Sequence, residues 1–120
     1  MLQIEELNQF YGESHTLWDI ELTAAQGECT CLMGRNGVGK TTLLNCVMGL
    51  LPCKSGKILL NSKDICGLPA ENRAGLGVGY VPQGRQIFPL MTVRENLEIG
   101  LAIVKKKKIP DLVFELFPVL

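Results

Sequence analysis

Residues 34–42 read Gly-Arg-Asn-Gly-Val-Gly-Lys-Thr-Thr and fit the spacing G-x-x-x-x-G-K-[ST]. Gly34, Gly37 and Gly39 let the backbone turn sharply and approach an anion with no Cβ in the way. Successive N–H groups in such a loop form a concave nest for phosphate oxygens. A helix opening near Lys40 would aim a partial positive charge, roughly +0.5, at the same oxygens. Lys40 adds a mobile cation suited to β- and γ-phosphates, and the Thr41 hydroxyl is placed to bind Mg²⁺. This chemistry is recognition of a nucleoside triphosphate; the nonapeptide alone leaves the class of NTPase open.

Such a loop needs a strand before it and a helix after it. Glu28-Cys-Thr-Cys-Leu-Met33 alternates and predicts that strand, with Cys29, Cys31 and Met33 on one face. Thr42 to Met48 is apolar enough for a buried helix that ends near Gly49. A glycine-rich turn that merely contains a lysine would not require this order of elements.

The rest of the chain predicts the scaffold. Leu2 to Leu7 alternates as an edge strand, Asn8 to Ser14 turns at Tyr11-Gly12, and Thr16 to Thr23 alternates again. In that second strand Trp18, Ile20 and Leu22 share one face and Leu17, Asp19, Glu21 and Thr23 the other. With the strand at 28–33 they suggest an antiparallel layer. Lys57 to Leu60 is a short strand followed by a tight turn at Asn61–Asp64, and Pro69 to Ala74 allows one helical turn. Gly77 to Pro82 reads as a buried strand stopped by proline. Thr92 and Glu95 have capping-box spacing and open a helix to about Ile103. Lys105 to Lys108 is read as a solvated loop. Pro110 then starts a last helix whose apolar face would hold Leu112, Val113, Leu116 and Phe117.

The 120 residues carry 12 basic and 12 acidic side chains, a formal net charge of zero, which argues against nucleic acid or an acidic membrane face as a partner. No apolar run approaches the ~18 residues that span a bilayer, and Met1 to Glu6 lacks a signal-peptide character, so a cytoplasmic location is expected. The five cysteines form no C-x-x-C pair, which argues against zinc or redox chemistry, and all five read as packing residues. His15, the single histidine, reads as an ordinary loop residue.

Several ordered motifs give the chain a resemblance to the N-terminal half of ABC-transporter ATP-binding subunits. Gly34, Arg35, Asn36, Gly37, Val38, Gly39, Lys40, Thr41 and Thr42 then correspond to the Walker A loop around the nucleotide. Tyr11 lies where that family stacks an A-loop aromatic on adenine, with Phe10 as the adjacent alternative. Tyr80-Val-Pro-Gln83 looks like the start of the Q-loop, whose glutamine contacts Mg²⁺ and the attacking water; the resemblance implies both a metal and a catalytic role for Gln83. The run Gly84 to Leu101, with His15-Thr-Leu-Trp-Asp-Ile20, is similar to the branch importing branched-chain amino acids and urea, most of all to the second ATPase subunit of urea importers.

The resemblance implies an α/β P-loop NTPase fold, with a RecA-like parallel core, an N-terminal antiparallel β layer and the start of a helical subdomain near 92–120. It implies ATP and Mg²⁺ as ligands. Its partners would be permease subunits, reached through the region after Gln83, and a second ATPase subunit facing head to tail. A place on the inner face of the plasma membrane follows. The family's signature motif, Walker B aspartate and H-loop histidine do not occur after Gln83, so the chain is expected to be a truncated part of one ABC ATPase domain. His15 lies too early to replace that histidine. Hydrolysis by the chain alone is not expected, because positioning and electrostatics supply nearly all the rate of phosphoryl transfer. Two other readings remain open from sequence: a non-catalytic product of a broken gene, and another P-loop enzyme such as a nucleotide kinase, which would not account for the Q-loop match.

Overall fold

A computed structural model describes residues 1–84, 86–102 and 108–119. The chain divides into two compact units, Met1–Val78 and Gly79–Leu120.

The first unit is built on a four-stranded antiparallel sheet. Its strands are β1 (Leu2–Tyr11), β2 (Ser14–Ala24), β3 (Ser55–Leu60) and β4 (Lys63–Asp64), in the spatial order β2-β1-β3-β4. Asn61 and Ser62 join β3 to β4 with φ of 48° and 67°, the left-handed pair that a two-residue hairpin turn needs. Helix α1 (Lys40–Met48) and short helix α2 (Ala70–Gly75) complete this unit. Ile4, Leu7, Leu17 and Ile58 of the sheet pack with Leu43, Cys46 and Val47 of α1 and with Ile65. Each fully buried aliphatic side chain contributes about 1.5–3 kcal/mol.

Three register shifts between β1 and β2, the last between the pairs Gln9–Leu17 and Phe10–His15, decide which residues reach that core. Ile4 pairs with Leu22 and Leu7 with Ile20, so β1 carries one extra residue, Glu6 at φ 47°. Leu7 to Gln9 then spans two residues while Ile20 to Leu17 spans three, which places the second extra residue at Asp19, φ 41°. A bulge switches the face of every side chain beyond it. Leu17 is therefore buried, with Ile20 and Leu22 half-buried against the same core, and Trp18 is turned out at 66% exposure. The simple alternation expected for Thr16–Thr23 is corrected on this point, and so is the turn expected over Asn8–Ser14: β1 runs to Tyr11 and only Gly12 and Glu13 turn.

Gly56 sits on β3 at φ 90°, and a Cβ there would collide with the backbone carbonyls of Glu5 and Glu6. Gly56→Ala is expected to cost at least about 2 kcal/mol through backbone strain. A lowered urea midpoint at unchanged slope would report it.

Two expected strands do not form. Residues 28–33 and 77–82 are extended or irregular backbone without ladder pairing, and Met33 and Val81 are 85% and 93% exposed. A strand exists only through its neighbours, and no described strand pairs with either segment. The antiparallel layer accordingly takes β3 and β4 in place of 28–33. Cys29 and Cys31 are exposed, not packed; Cys46 is buried, and Cys53 and Cys66 are half-buried against the core.

The second unit contains α3 (Val93–Ile99) and α4 (Asp111–Leu116). Thr92 Oγ1 accepts the Glu95 N–H at 3.2 Å while Glu95 accepts the Thr92 N–H at 2.7 Å, so the expected capping box is formed. These bonds hold the Glu95 carboxyl below its ordinary range. A depressed carboxylate stabilises the helix start at neutral pH, and that contribution is lost as pH falls through the folded-state value. The helix ends at Ile99, earlier than expected, and residues 103–107, with most of the lysine run, lie outside the described residues. On α4, Leu112, Leu116 and Phe117 are exposed and Val113 is half-buried, so the expected apolar face is not covered.

Candidate functional site, a phosphate-binding loop

The loop 34–39 leads directly into α1. Gly37 and Gly39 have φ of 81° and 97°, a left-handed backbone that side chains with a Cβ adopt at a cost. At Gly39 space is short as well, since a Cβ would lie 2.9 Å from the Leu17 side chain. The loop can therefore press against β2 only with glycine at this position.

Helix α1 begins with no side-chain cap and no acidic residue in its first turn. Its first N–H groups lack intrahelical partners, and among the described residues no capping side chain or first-turn carboxylate competes for them. Lys40 Nζ donates to the carbonyls of Gly34 at 2.7 Å and Arg35 at 2.6 Å, folding the ammonium across the loop. Unpartnered N–H groups at a helix start, glycine-shaped backbone and one cation form a donor set suited to phosphate oxygens. Arg35, Asn36, Val38 and Thr41 are exposed, and Thr42 is buried at 8%.

Tyr11 lies beside this loop. Its hydroxyl is 3.4 Å from Thr42 Oγ1, and the residue stays 50% exposed. Phe10 is engaged elsewhere: its ring stacks on His15 at 4.0 Å and 11°, and His15 stacks on Trp18 at 3.7 Å and 25°. His15 belongs to β2 and is half-buried in this column, which corrects its expected place in a loop. Gln83 is exposed in the second unit.

Two further residues tie elements within their own units; no sequence motif pointed to Arg73, whereas Asn96 lies within the run Gly84–Leu101. Arg73 of α2 is 2% exposed and donates to four carbonyls: Cys46 at 2.6 Å, Val47 at 2.9 Å, Cys66 at 2.8 Å and Leu68 at 2.8 Å. Helix α1 has no basic residue in its last turn, so Arg73 supplies the cation at its C-terminal end. In the second unit Asn96 donates to the carbonyls of Phe88, Met91 and Thr92 and accepts the Phe88 N–H at 2.8 Å, tying segment 88–92 to α3. Ile87, Phe88, Met91 and Val93 are left exposed around a groove of about 380 Å³.

Other chemistry finds little support among the described residues. No group of three or more His, Cys, Asp or Glu side chains is arranged to hold a metal ion. A hydrogen bond with Cys53 holds the Cys46 thiol below its ordinary range against the effect of burial, and the same bond pushes Cys53 up. Burial raises Cys66 to about 11. Cys53 and Cys66 are therefore neutral at pH 7 and poor nucleophiles. No described helix is long and apolar enough to cross a membrane.

A family profile described as ABC transporter matches residues 17–117. The probable branched-chain amino acid transport ATP-binding protein LivF of Archaeoglobus fulgidus is 39% identical over 111 residues, which are 92% of this chain and 47% of that protein. The high-affinity branched-chain amino acid transport ATP-binding protein BraG of Pseudomonas aeruginosa is 35% identical, over 98% of this chain and 52% of that one. Among solved structures, the ADP conformation of MJ1267, an ATP-binding cassette of an ABC transporter, superposes with a TM-score of 0.76 at 31% identity, over 100% of this chain and 52% of that one. The chain spans about half the length of these relatives. Its fold is that of P-loop NTPases, and the chain belongs to the ABC transporter ATP-binding family.

Proposed function

We propose that this chain is the ATP-binding part of an ATPase subunit that energises an ABC importer for urea or branched-chain amino acids. The observation that carries the reading is the loop 34–42 itself: a left-handed glycine backbone feeding an uncapped helix start, with Lys40 folded across it. Gly34, Arg35, Asn36, Gly37, Val38 and Gly39 would wrap the phosphates, and Tyr11, placed beside Thr42, would stack on the base. Lys40 would exchange its two carbonyl partners for β- and γ-phosphate oxygens. The Thr41 hydroxyl would hold Mg²⁺, which neutralises phosphate charge when bound, and the resemblance of Tyr80-Val-Pro-Gln83 to a Q-loop gives Gln83 a metal-binding and water-orienting role.

The exposed apolar segment that Asn96 ties to α3 supports a role in meeting permease subunits, since it lies just after Gln83. A second ATPase subunit would face the loop head to tail. That assembly belongs on the cytoplasmic face of the plasma membrane. The names of LivF and BraG support the branched-chain amino acid side of this reading; the resemblance of Gly84–Leu101, taken with His15–Ile20 and Cys31–Leu44, to the second ATPase subunit of urea importers supports urea. Uptake of labelled urea and labelled leucine, measured in cells with and without the gene for this protein, tests the assignment. Loss of urea uptake alone is expected. Loss of leucine uptake alone would move the assignment to amino acids, and no loss of either would remove it.

A further inference from the structure

The ring column on the β1–β2 hairpin stacks on itself rather than on the phosphate loop, and side-chain hydrogen bonds tie it closely to both strands. Phe10 and His15 are cross-strand partners in register. Their rings are nearly parallel, and Trp18 extends the stack on the other face of the imidazole. The indole N–H donates to the His15 carbonyl at 3.1 Å, which locks Trp18 over the hairpin. The side chain of Asn8 clips the same place. Its Oδ1 lies 2.8 Å from His15 Nε2 and accepts the Asp19 N–H at 3.1 Å, while its amide donates to Asp19 Oδ1 at 2.7 Å and to the Glu6 carbonyl at 2.9 Å. From beneath, the buried Gln9 amide donates to the Phe10 carbonyl at 2.8 Å.

Adjacent strand residues point to opposite faces. With Phe10 held in the column, Tyr11 is directed to the other side, where its hydroxyl meets Thr42. The column thus fixes the backbone that aims Tyr11. A Trp18 two-thirds exposed is otherwise an unfavourable use of a large apolar ring, and its stacking on His15 needs both the bulge at Asp19 that turned it outward and the register shift between Leu17 and His15 that brings His15 to the same face.

We propose that Phe10, His15 and Trp18 are positioning residues for nucleobase recognition: they hold Tyr11 over the base site and leave the phosphate cradle untouched. The proposal rests on Tyr11 being the base platform. Its test compares two probes, Mg-ATP and Mg-tripolyphosphate, on Trp18→Ala and on the ring-preserving Trp18→Phe, each in the natural and the Tyr11→Ala background. Trp18→Ala is expected to weaken Mg-ATP by about five- to tenfold, the lower end of what one base-stacking contact is worth. Tripolyphosphate affinity is expected to stay unchanged, Trp18→Phe to restore most of the ATP affinity, and Trp18→Ala to have no further effect once Tyr11 is gone, which is the signature of coupling in a double-mutant cycle.

Equal losses for both probes would show general loosening and overturn the proposal, as would a Trp18→Ala effect that persists without Tyr11. No effect of Trp18→Ala while Tyr11→Ala still weakens ATP would overturn the positioning role alone. If Tyr11→Ala leaves ATP affinity intact, the base-platform reading fails and the proposal falls with it.

Discussion

Lys40→Ala is expected to weaken Mg-ATP binding by at least about tenfold and up to about a hundredfold, the effect of losing one or two hydrogen bonds between a charged donor and a charged acceptor. The physical reason lies in the free protein. The ammonium is held by two neutral carbonyls, those of Gly34 and Arg35, so it is already placed at the loop. Exchanging a carbonyl for a phosphate oxygen replaces a charge–dipole bond by a charge–charge bond in a half-enclosed site, and this gain is what alanine removes. Lys40 is half-buried and makes no contact with a carboxylate among the described residues, so thermal stability is expected to change little. Equilibrium titration of both proteins with Mg-ATP checks the first expectation and a melting curve the second. Lys40→Arg is expected to rescue poorly, because a planar fork cannot fold back into a loop shaped for a point charge.

Arg73→Ala carries the largest expected loss of stability, about 3–5 kcal/mol. Four carbonyls share its guanidinium, two at the end of α1 and two in the segment before α2. Each buried acceptor left without a donor costs about 1–3 kcal/mol, part of which water entering the vacated space returns. A domain is stable by roughly 5–15 kcal/mol, so the variant is expected to sit near the edge of folding. Arg73→Lys should recover less than half of the loss, since one ammonium cannot reach partners that a guanidinium spans with separate nitrogens. Urea denaturation measures both variants, and a midpoint for Arg73→Ala within 1 kcal/mol of the natural protein would refute this role of the arginine. Because Arg73 secures the C-terminal end of α1, its loss is expected to weaken ATP binding only in proportion to unfolding, unlike the loss of Lys40.

How much of this was readable beforehand follows from the range of the interactions involved. The phosphate loop is local: residue types within nine positions set its backbone, its donors and its charge. Thr92 and Glu95 and the helix stop at Gly49 are local for the same reason, and each was found where its spacing put it. The strands at 28–33 and 77–82 were not, because their sequence pattern describes a capacity for pairing while pairing itself depends on distant segments. The bulges at Glu6 and Asp19 carry no glycine or asparagine to announce a positive φ, so the alternation of β2 was read one step out of phase and Trp18 was placed with Ile20 and Leu22. That error also hid the column, since His15 has a role only once Trp18 points outward. Arg73 is a single basic residue in Ala70-Glu-Asn-Arg-Ala-Gly75, and nothing near it in sequence signals four carbonyls contributed from 66–68 and from α1.

The central claim is that the first unit holds a cradle for a triphosphate and not merely a glycine-rich turn or a monophosphate site. Titrating the natural chain with Mg-ATP and with AMP tests it most directly, because the two ligands share base and ribose and differ in the β- and γ-phosphates assigned to Lys40 and the α1 N-terminus. ATP is expected to bind at least about tenfold more tightly, a difference of about 1.4 kcal/mol or more. Equal affinities, or tighter binding of AMP, would contradict the claim.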